Sequence, residues 1–213
     1  MQDWHNYAKL ITALFVIVDP LAAVPIFLSL THDYSATERT HSAQITALTV
    51  ATVLIAASIV GDPLLRFFGV SIASFRVGGG ILLLLMAISM LHARHSRIQQ
   101  APEETKEAEE KENVAVVPLA VPLLAGPGAI STVIIYAHQA TSWFDTAFLI
   151  LASLSISRTV WLALRSANAI GTALGKTGIN IVTRIMGLIL AALAIEFIAA
   201  GVSQLLPGLA GGK

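Results

Sequence analysis

Residues 16–27 read VIVDPLAAVPIF. Without Asp19, Pro20 and Pro25 this is a plain apolar helix segment. With them it holds a carboxylate and two helix breakers inside a stretch suited to hydrocarbon. A proline inside a helix donates no N–H, and its ring collides with the carbonyl four residues earlier. Pro20 is therefore expected to free the carbonyl of Val16, and Pro25 that of Leu21. Broken backbone at membrane depth is tolerated only inside a protein or beside a watery cavity.

The rest of the chain supports a membrane setting. Of 213 residues, 55% are hydrophobic and only 12% charged, about half the charged share of a soluble domain. Mean hydropathy is +0.76. A bilayer core asks for about 20 apolar residues per helix. Six segments qualify, at about 9–30, 43–61, 70–91, 114–138, 146–164 and 180–205. The first apolar stretch follows MQDWHNYAK, which has no basic n-region, so it reads as a retained helix and not a signal peptide.

Several function classes are excluded or left without support. The chain has no cysteine, which removes disulfides, thiolate metal sites and cysteine nucleophiles. Net charge is zero, so no bulk electrostatic case exists for a nucleic-acid partner. Neither HExxH nor GxSxG occurs, and the six histidines form no metal-site pattern, so neither an enzyme nor a metal cofactor is expected.

The one long polar stretch, HARHSRIQQAPEETKEAEEKEN at 92–113, reads as a solvated acidic linker. It divides the chain into 1–91 and 114–213, and the two parts resemble each other. DPLAAVPIF in the first span answers to GPGAISTVI in the fourth, and aligning Pro20 with Pro127 gives an offset of 107. FRVGGGILLLL in the third span answers to TRIMGLILAAL in the sixth. Aligning Arg76 with Arg184 gives 108 and matches Gly79 with Gly187. Two anchors agree to one residue.

A unit of three spans reverses direction, so its second copy enters the membrane upside down. The expected fold is an all-α membrane protein of six transmembrane helices in two inverted three-helix repeats, with the first and fourth broken near the midplane. Interrupted segments at matching places in inverted halves are the sequence pointer to a transporter's binding site. By the positive-inside rule, Arg39, Arg94, Arg97, Lys106, Lys111, Arg165 and Lys176 mark the cytoplasmic face. Lys9, Arg66 and Lys213 mark the other, which places both termini outside.

Each break also starts a new helix, whose first N–H groups lack partners and carry partial positive charge. After Pro127 these donors are expected on Gly128, Ala129 and Ile130; after Pro20, on Leu21, Ala22 and Ala23. Such helix starts bind anions, while freed carbonyls and Asp19 attract cations. One pair of breaks thus offers both poles that a zwitterion needs. In the fourth span Pro122 and Pro127 are expected to free the carbonyls of Pro118 and Leu123. Ser131 and Thr132 can bond ligand or backbone, and membrane hydroxyls more often bond backbone.

Asp19 reads in two compatible ways, as the cap of the half-helix after it and as a gate or proton carrier. Glu196, deep in the sixth span, pairs with an arginine or carries a proton. Arg76 and Arg184 either snorkel to the interface or pair with the broken helices. Arg158 snorkels or pairs. The glycines beside these arginines serve close helix packing.

These residues, VDPLAAVPIF, PLAVPLLAGPGAI, RVGGGILLL and RIMGLILAALAIEFI, resemble the MarC family of integral membrane proteins over nearly the whole chain. The resemblance implies a transporter of small neutral amino acids, of the SnatA type that carries glycine and alanine, in a bacterial-type inner membrane. Asp19-Pro20 matches the family's first motif and Gly126-Pro127-Gly128 its second. The first motif usually continues with glycine after the leucine; here Ala22 adds a methyl group beside the ligand path.

The expected substrate site is Asp19, Pro20, Leu21, Ala22, Ala23 and Pro25 with Gly126, Pro127, Gly128, Ala129, Ser131 and Thr132. The expected coupling or gating residues are Asp19, Glu196, Arg76 and Arg184, with H+ or Na+ as coupling ion and one repeat rocking against the other. The competing readings are a membrane scaffold, an intramembrane acid–base enzyme using Asp19 with Glu196, and an efflux pump for drugs or other small solutes. Oligomeric state is open.

Overall fold

The computed structural model describes residues 4–92 and 115–206. All described secondary structure is helical. Helix α1 spans Trp4–Val18 and α2 Ala23–Leu30; α3 covers Ala36–Phe67 and α4 Ile72–Leu91. A π-wound helix, α5, covers Ala115–Leu124 and is followed by α6 at Pro127–Gln139, α7 at Trp143–Arg165 and α8 at Ala167–Leu205. Apart from His92, the acidic linker lies outside the described residues.

Local chemistry sets the helix ends. Ser35 and Glu38 form a capping box: the Glu38 amide donates to Ser35 Oγ, and the Ser35 amide to the Glu38 carboxylate. Ser142 and Asp145 do the same for α7. Such caps extend helices into polar sequence, so α3 begins seven residues before the apolar stretch that announced it. Helix α8 begins at Ala167, well before 180, and is interrupted at Gly175, where φ is +58°. Only a residue without Cβ takes that conformation at little cost.

Among the described residues four helices are long and apolar enough to cross a membrane: Ala36–Phe67, Ile72–Leu91, Trp143–Arg165 and Thr177–Leu205. The pair Asn6–Val18 and Ala23–Leu30, bent by 40°, makes a fifth if taken as one span. The sixth expected span does not reach this measure. Its residues are divided between α5 and α6, and neither piece is long enough alone. Between 28% and 44% of each apolar window is buried, so most of the apolar surface faces outward. Leu48, Leu151, Ile181, Leu188 and Ile195 are all exposed. Outward apolar surface on this scale is what lipid covers.

Inside, one core joins every described helix except the exposed helix tips. Leu14, Ile17, Phe27, Leu54, Leu83, Met86, Leu119, Ile135 and Leu149 are fully buried. The most extensive packing is between α4 and α8. A Cβ at Gly201 would lie 2.8 Å from the Ala73 carbonyl, one at Gly80 2.9 Å from the Ala194 carbonyl, and one at Gly187 3.2 Å from the Ala87 carbonyl. Positions rising along α4 meet positions falling along α8, so the two run antiparallel with their backbones nearly touching.

The other contacts cross between the halves of the chain. Helix α3 packs on α5, α6 and α7, while α1 and α2 pack on α7 and α8. The Tyr7 hydroxyl donates to Asp145 Oδ1 at 2.7 Å, tying α1 to α7. The Thr46 hydroxyl shares its proton between the Ser42 and Ala115 carbonyls, tying α3 to α5. The Ser157 hydroxyl donates to the Ala47 carbonyl, tying α7 to α3.

Candidate functional site

Helix α1 ends at Val18, and the N–H of the next residue, Asp19, donates to the Phe15 carbonyl at 3.0 Å. The φ of Asp19 is +42°, the one positive value on a non-glycine among the described residues. That region costs an L-residue about 1–2 kcal/mol, and Asp and Asn enter it most readily. The turned backbone lets Asp19 Oδ1 accept the Ala22 N–H at 3.2 Å, so the side chain caps the turn that leads into α2. The residue is 7% exposed, and Oδ2 is buried with no hydrogen-bond partner. An intramembrane carboxylate is costly and faces an interior partner or cavity.

One expected free donor and one expected free acceptor are engaged here. The Ala22 amide is taken by Asp19, and the Leu21 carbonyl accepts the Val24 N–H at 3.2 Å. Pro25 therefore does not orphan Leu21. It lies in the first turn of α2, where its missing N–H has no intrahelical role.

The second break has different chemistry. The Ala125 N–H donates to the Ala120 carbonyl at 2.8 Å, a five-residue π-type bond that closes α5. Gly126 is extended and Pro127 is the first residue of α6. Pro127 thus opens a helix and does not interrupt one. The Ile130 N–H donates to the Gly126 carbonyl at 3.0 Å, so it is not a free donor. The start of α6 has no side-chain cap, which leaves Gly128 and Ala129 as the amides suited to an external acceptor. Ser131 and Thr132 both donate to the Gly128 carbonyl, at 3.0 and 2.8 Å; their hydroxyls serve the backbone.

The breaks approach one another. A Cβ on Gly128 would stand 3.4 Å from Ile17, two residues before Asp19, and 2.8 Å from both Leu83 and Met86 of α4. A side chain at this position would have to displace the ends of the Leu83 and Met86 side chains. Leu83, Met86 and Ile17 join the site on this geometry; nothing in their residue types marks them out in an apolar chain. Gly79 faces Ser131 in the same way, its Cβ position 3.0 Å from the hydroxyl.

The charged candidates separate. Arg76 is 8% exposed and its Nε has no partner, whereas Arg184, its counterpart at the offset of 108, is exposed. Arg158 is also exposed. Glu196 pairs with Lys9 of α1 at 2.8 Å, both side chains about half exposed. Tyr136 of α6 lies within electrostatic reach of Arg76 and Glu196. Asp145 is buried and accepts from Tyr7, Thr141 and Ser142; its legible signal was the Ser-x-x-Asp spacing. Among the described residues no group of three or more His, Asp or Glu is placed to hold a metal ion.

A family model described as "MarC family integral membrane protein" matches residues 4–206. The UPF0056 membrane protein YhcE of Escherichia coli is 39% identical over 209 residues, covering 97% of this chain and 96% of its own. A UPF0056 membrane protein of Buchnera aphidicola from Acyrthosiphon pisum is 39% identical over 97% of this chain and 96% of its own. One from the archaeon Methanocaldococcus jannaschii is 37% identical over 94% of this chain and 97% of its own. No solved structure matches the chain.

Proposed function

This chain belongs to the MarC family of integral membrane proteins, and from that premise we propose that it is a secondary active transporter of small neutral amino acids, of the glycine and alanine class. The observation that carries the reading is the meeting of two chain breaks of opposite character. One ends in a buried carboxylate with an unpartnered oxygen; the other is a helix start without a side-chain cap. An amino-acid ammonium suits the first, and its carboxylate suits the Gly128 and Ala129 amides. Ala22, Ala23 and Gly128 leave little room for a side chain on the ligand.

In this reading α5 and α6 together form the remaining span, giving six spans in two inverted repeats. The antiparallel packing of α4 on α8 supports this, because those helices hold equivalent positions in the two halves. So does the crosswise pattern in which α3 meets α5 and α6 while α7 meets α1 and α2. Both termini lie outside the cytoplasm, in a cell inner membrane. The protein is not an enzyme, H+ or Na+ provides the coupling, and no nucleic acid is bound. Leu83 and Met86 against Gly128 represent the site closed around itself.

The test is uptake of radiolabelled glycine and alanine into proteoliposomes under imposed proton or sodium gradients, comparing wild type with Asp19→Asn. Gradient-driven uptake that the variant loses is expected. Absence of uptake by folded wild type for every small neutral amino acid would overturn the substrate assignment. A cysteine-accessibility tag in the 92–113 linker reads the orientation, and labelling from outside the cell would reverse it.

A further inference from the structure

We propose that the cleft between the start of α3 and the α7–α8 junction binds a phosphate group, the chemistry shared by an anionic phospholipid headgroup and by free phosphate. The cleft has a volume of about 210 Å3 and is lined by Ala36, Arg39, Thr40, Leu164, Arg165 and Asn168. It lies apart from the two chain breaks, at the polar ends of three helices. Arg39 is in the opening turns of α3, Arg165 closes α7, and Asn168 is the second residue of α8. In a bilayer this is the level of lipid phosphates, and arginines there attract anionic headgroups.

The charged and amide groups that line the cleft are donors. The Arg39 guanidinium donates to the Thr31 carbonyl at 2.8 Å and to Asn168 Oδ1 at 3.3 Å. Both acceptors are neutral, so the side chain is fixed while its charge stays uncompensated. Its Nε is buried without an acceptor. Because Asn168 turns its oxygen to Arg39, its amide NH2 is left to donate elsewhere. The Arg165 guanidinium carbon stands 5.3 Å from the centre of the Trp161 ring, a cation–π contact that orients the group without neutralising it. Thr40 spends its proton on the Ala36 carbonyl.

The nearby carboxylates are engaged elsewhere. Glu38 accepts the Ser35 amide, and Asp33 is bonded to His32. Among the described residues neither Arg39 nor Arg165 has an acidic partner. Two planar guanidiniums converging with an amide NH2 match the several oxygens of a phosphate and offer forked hydrogen bonds. Leu164 and Ala36 supply an apolar wall.

Trp161 beneath Arg165 provides a reporter. The full chain, purified in neutral detergent, is titrated separately with phosphatidylglycerol, phosphatidylcholine and inorganic phosphate. Tryptophan emission and the thermal midpoint are followed for wild type, Arg165→Gln and Arg39→Gln. Saturation by phosphatidylglycerol at a concentration about tenfold below that for phosphatidylcholine is expected. Arg165→Gln should raise that concentration by about tenfold, or about 1.4 kcal/mol. Saturation by inorganic phosphate alone, lost in Arg165→Gln, supports the site with free phosphate as its source. Arg39 also links Thr31 to Asn168, so its variant is read only if it folds; Arg165→Gln carries the decision without it. Titrations unchanged by Arg165→Gln, or no saturable response to either phosphate source, overturn the assignment.

Discussion

Asp19 performs two tasks that substitution separates. Its side chain caps the turn after α1 through the Ala22 amide, and its backbone sits at φ +42°. Alanine loses the cap, worth about 1 kcal/mol, and must hold the left-handed conformation at a further cost of about 1–2 kcal/mol. Together these come to roughly 2–3 kcal/mol, which for a chain of this size lowers the unfolding midpoint by about 5–10 °C. Glycine accepts the positive φ freely and costs only a few tenths of a kcal/mol at a cap. Asparagine keeps both the acceptor oxygen and the tolerance for positive φ while removing the charge. The expected order of thermal midpoints in detergent, read by tryptophan emission, is Asp19→Asn close to wild type, then Asp19→Gly, then Asp19→Ala. Uptake should fall at least about tenfold in Asp19→Asn despite its retained stability, a rise of about 1.4 kcal/mol in the transport barrier. Equal midpoints for the alanine and asparagine variants would refute the cap and strain assignment. Full uptake in a stable Asp19→Asn would remove the charge from the mechanism.

Gly78 and Gly80 differ by two positions and should respond oppositely. A Cβ at Gly78 meets nothing within 4 Å, whereas one at Gly80 lies 2.9 Å from the Ala194 carbonyl. In detergent, Gly78→Ala should hold or slightly raise the thermal midpoint, while Gly80→Ala should cost about 1–3 kcal/mol. The Lys9–Glu196 pair is half exposed, so Glu196→Gln should change stability by less than about 1 kcal/mol. A large loss of uptake in that variant at unchanged stability would assign Glu196 to coupling.

Hydropathy and the prolines made the helical segments and both interruptions legible, because neither depends on which residues become neighbours. The start of α3 at Ala36 was hidden from hydropathy, since it depends on the polar box of Ser35 and Glu38. Asp-Pro announced a break but carried no sign of φ, and so no sign that Asp19 Oδ1 would reach Ala22. The arginines show the deeper limit. In a soluble helix the apolar stripe tells which face is buried. Here lipid and core are both apolar, so the phase of a helix about its axis leaves almost no trace. Arg76 and Arg184 looked equivalent, yet one is buried and the other exposed. Glu196 looked deep, yet its helix turns it to Lys9.

The packing also bears on which parts move. Rocking one half of the chain against the other requires motion across α4 and α8, one from each half. That interface brings two backbones into close approach: the Cβ positions of Gly80 and Gly201 lie within 3 Å of carbonyl oxygens on the facing helix. Backbones in such contact have no side chains to re-pack, and packed cores switch between discrete arrangements instead of deforming smoothly. For the proposed transport cycle the expected motion therefore leaves the α4–α8 seam fixed and displaces α1 and α2 relative to it. Spin labels test this without interference, because the chain has no cysteine. One pair, at Gly78 and Gln204, spans the seam from exposed positions. A second, at Ser29 and Leu85, joins α2 to α4. With saturating glycine the seam distance should hold while the Ser29–Leu85 distance shifts. A seam change above about 2 Å, the size of an ordinary helix shear, would restore the rocking of intact halves.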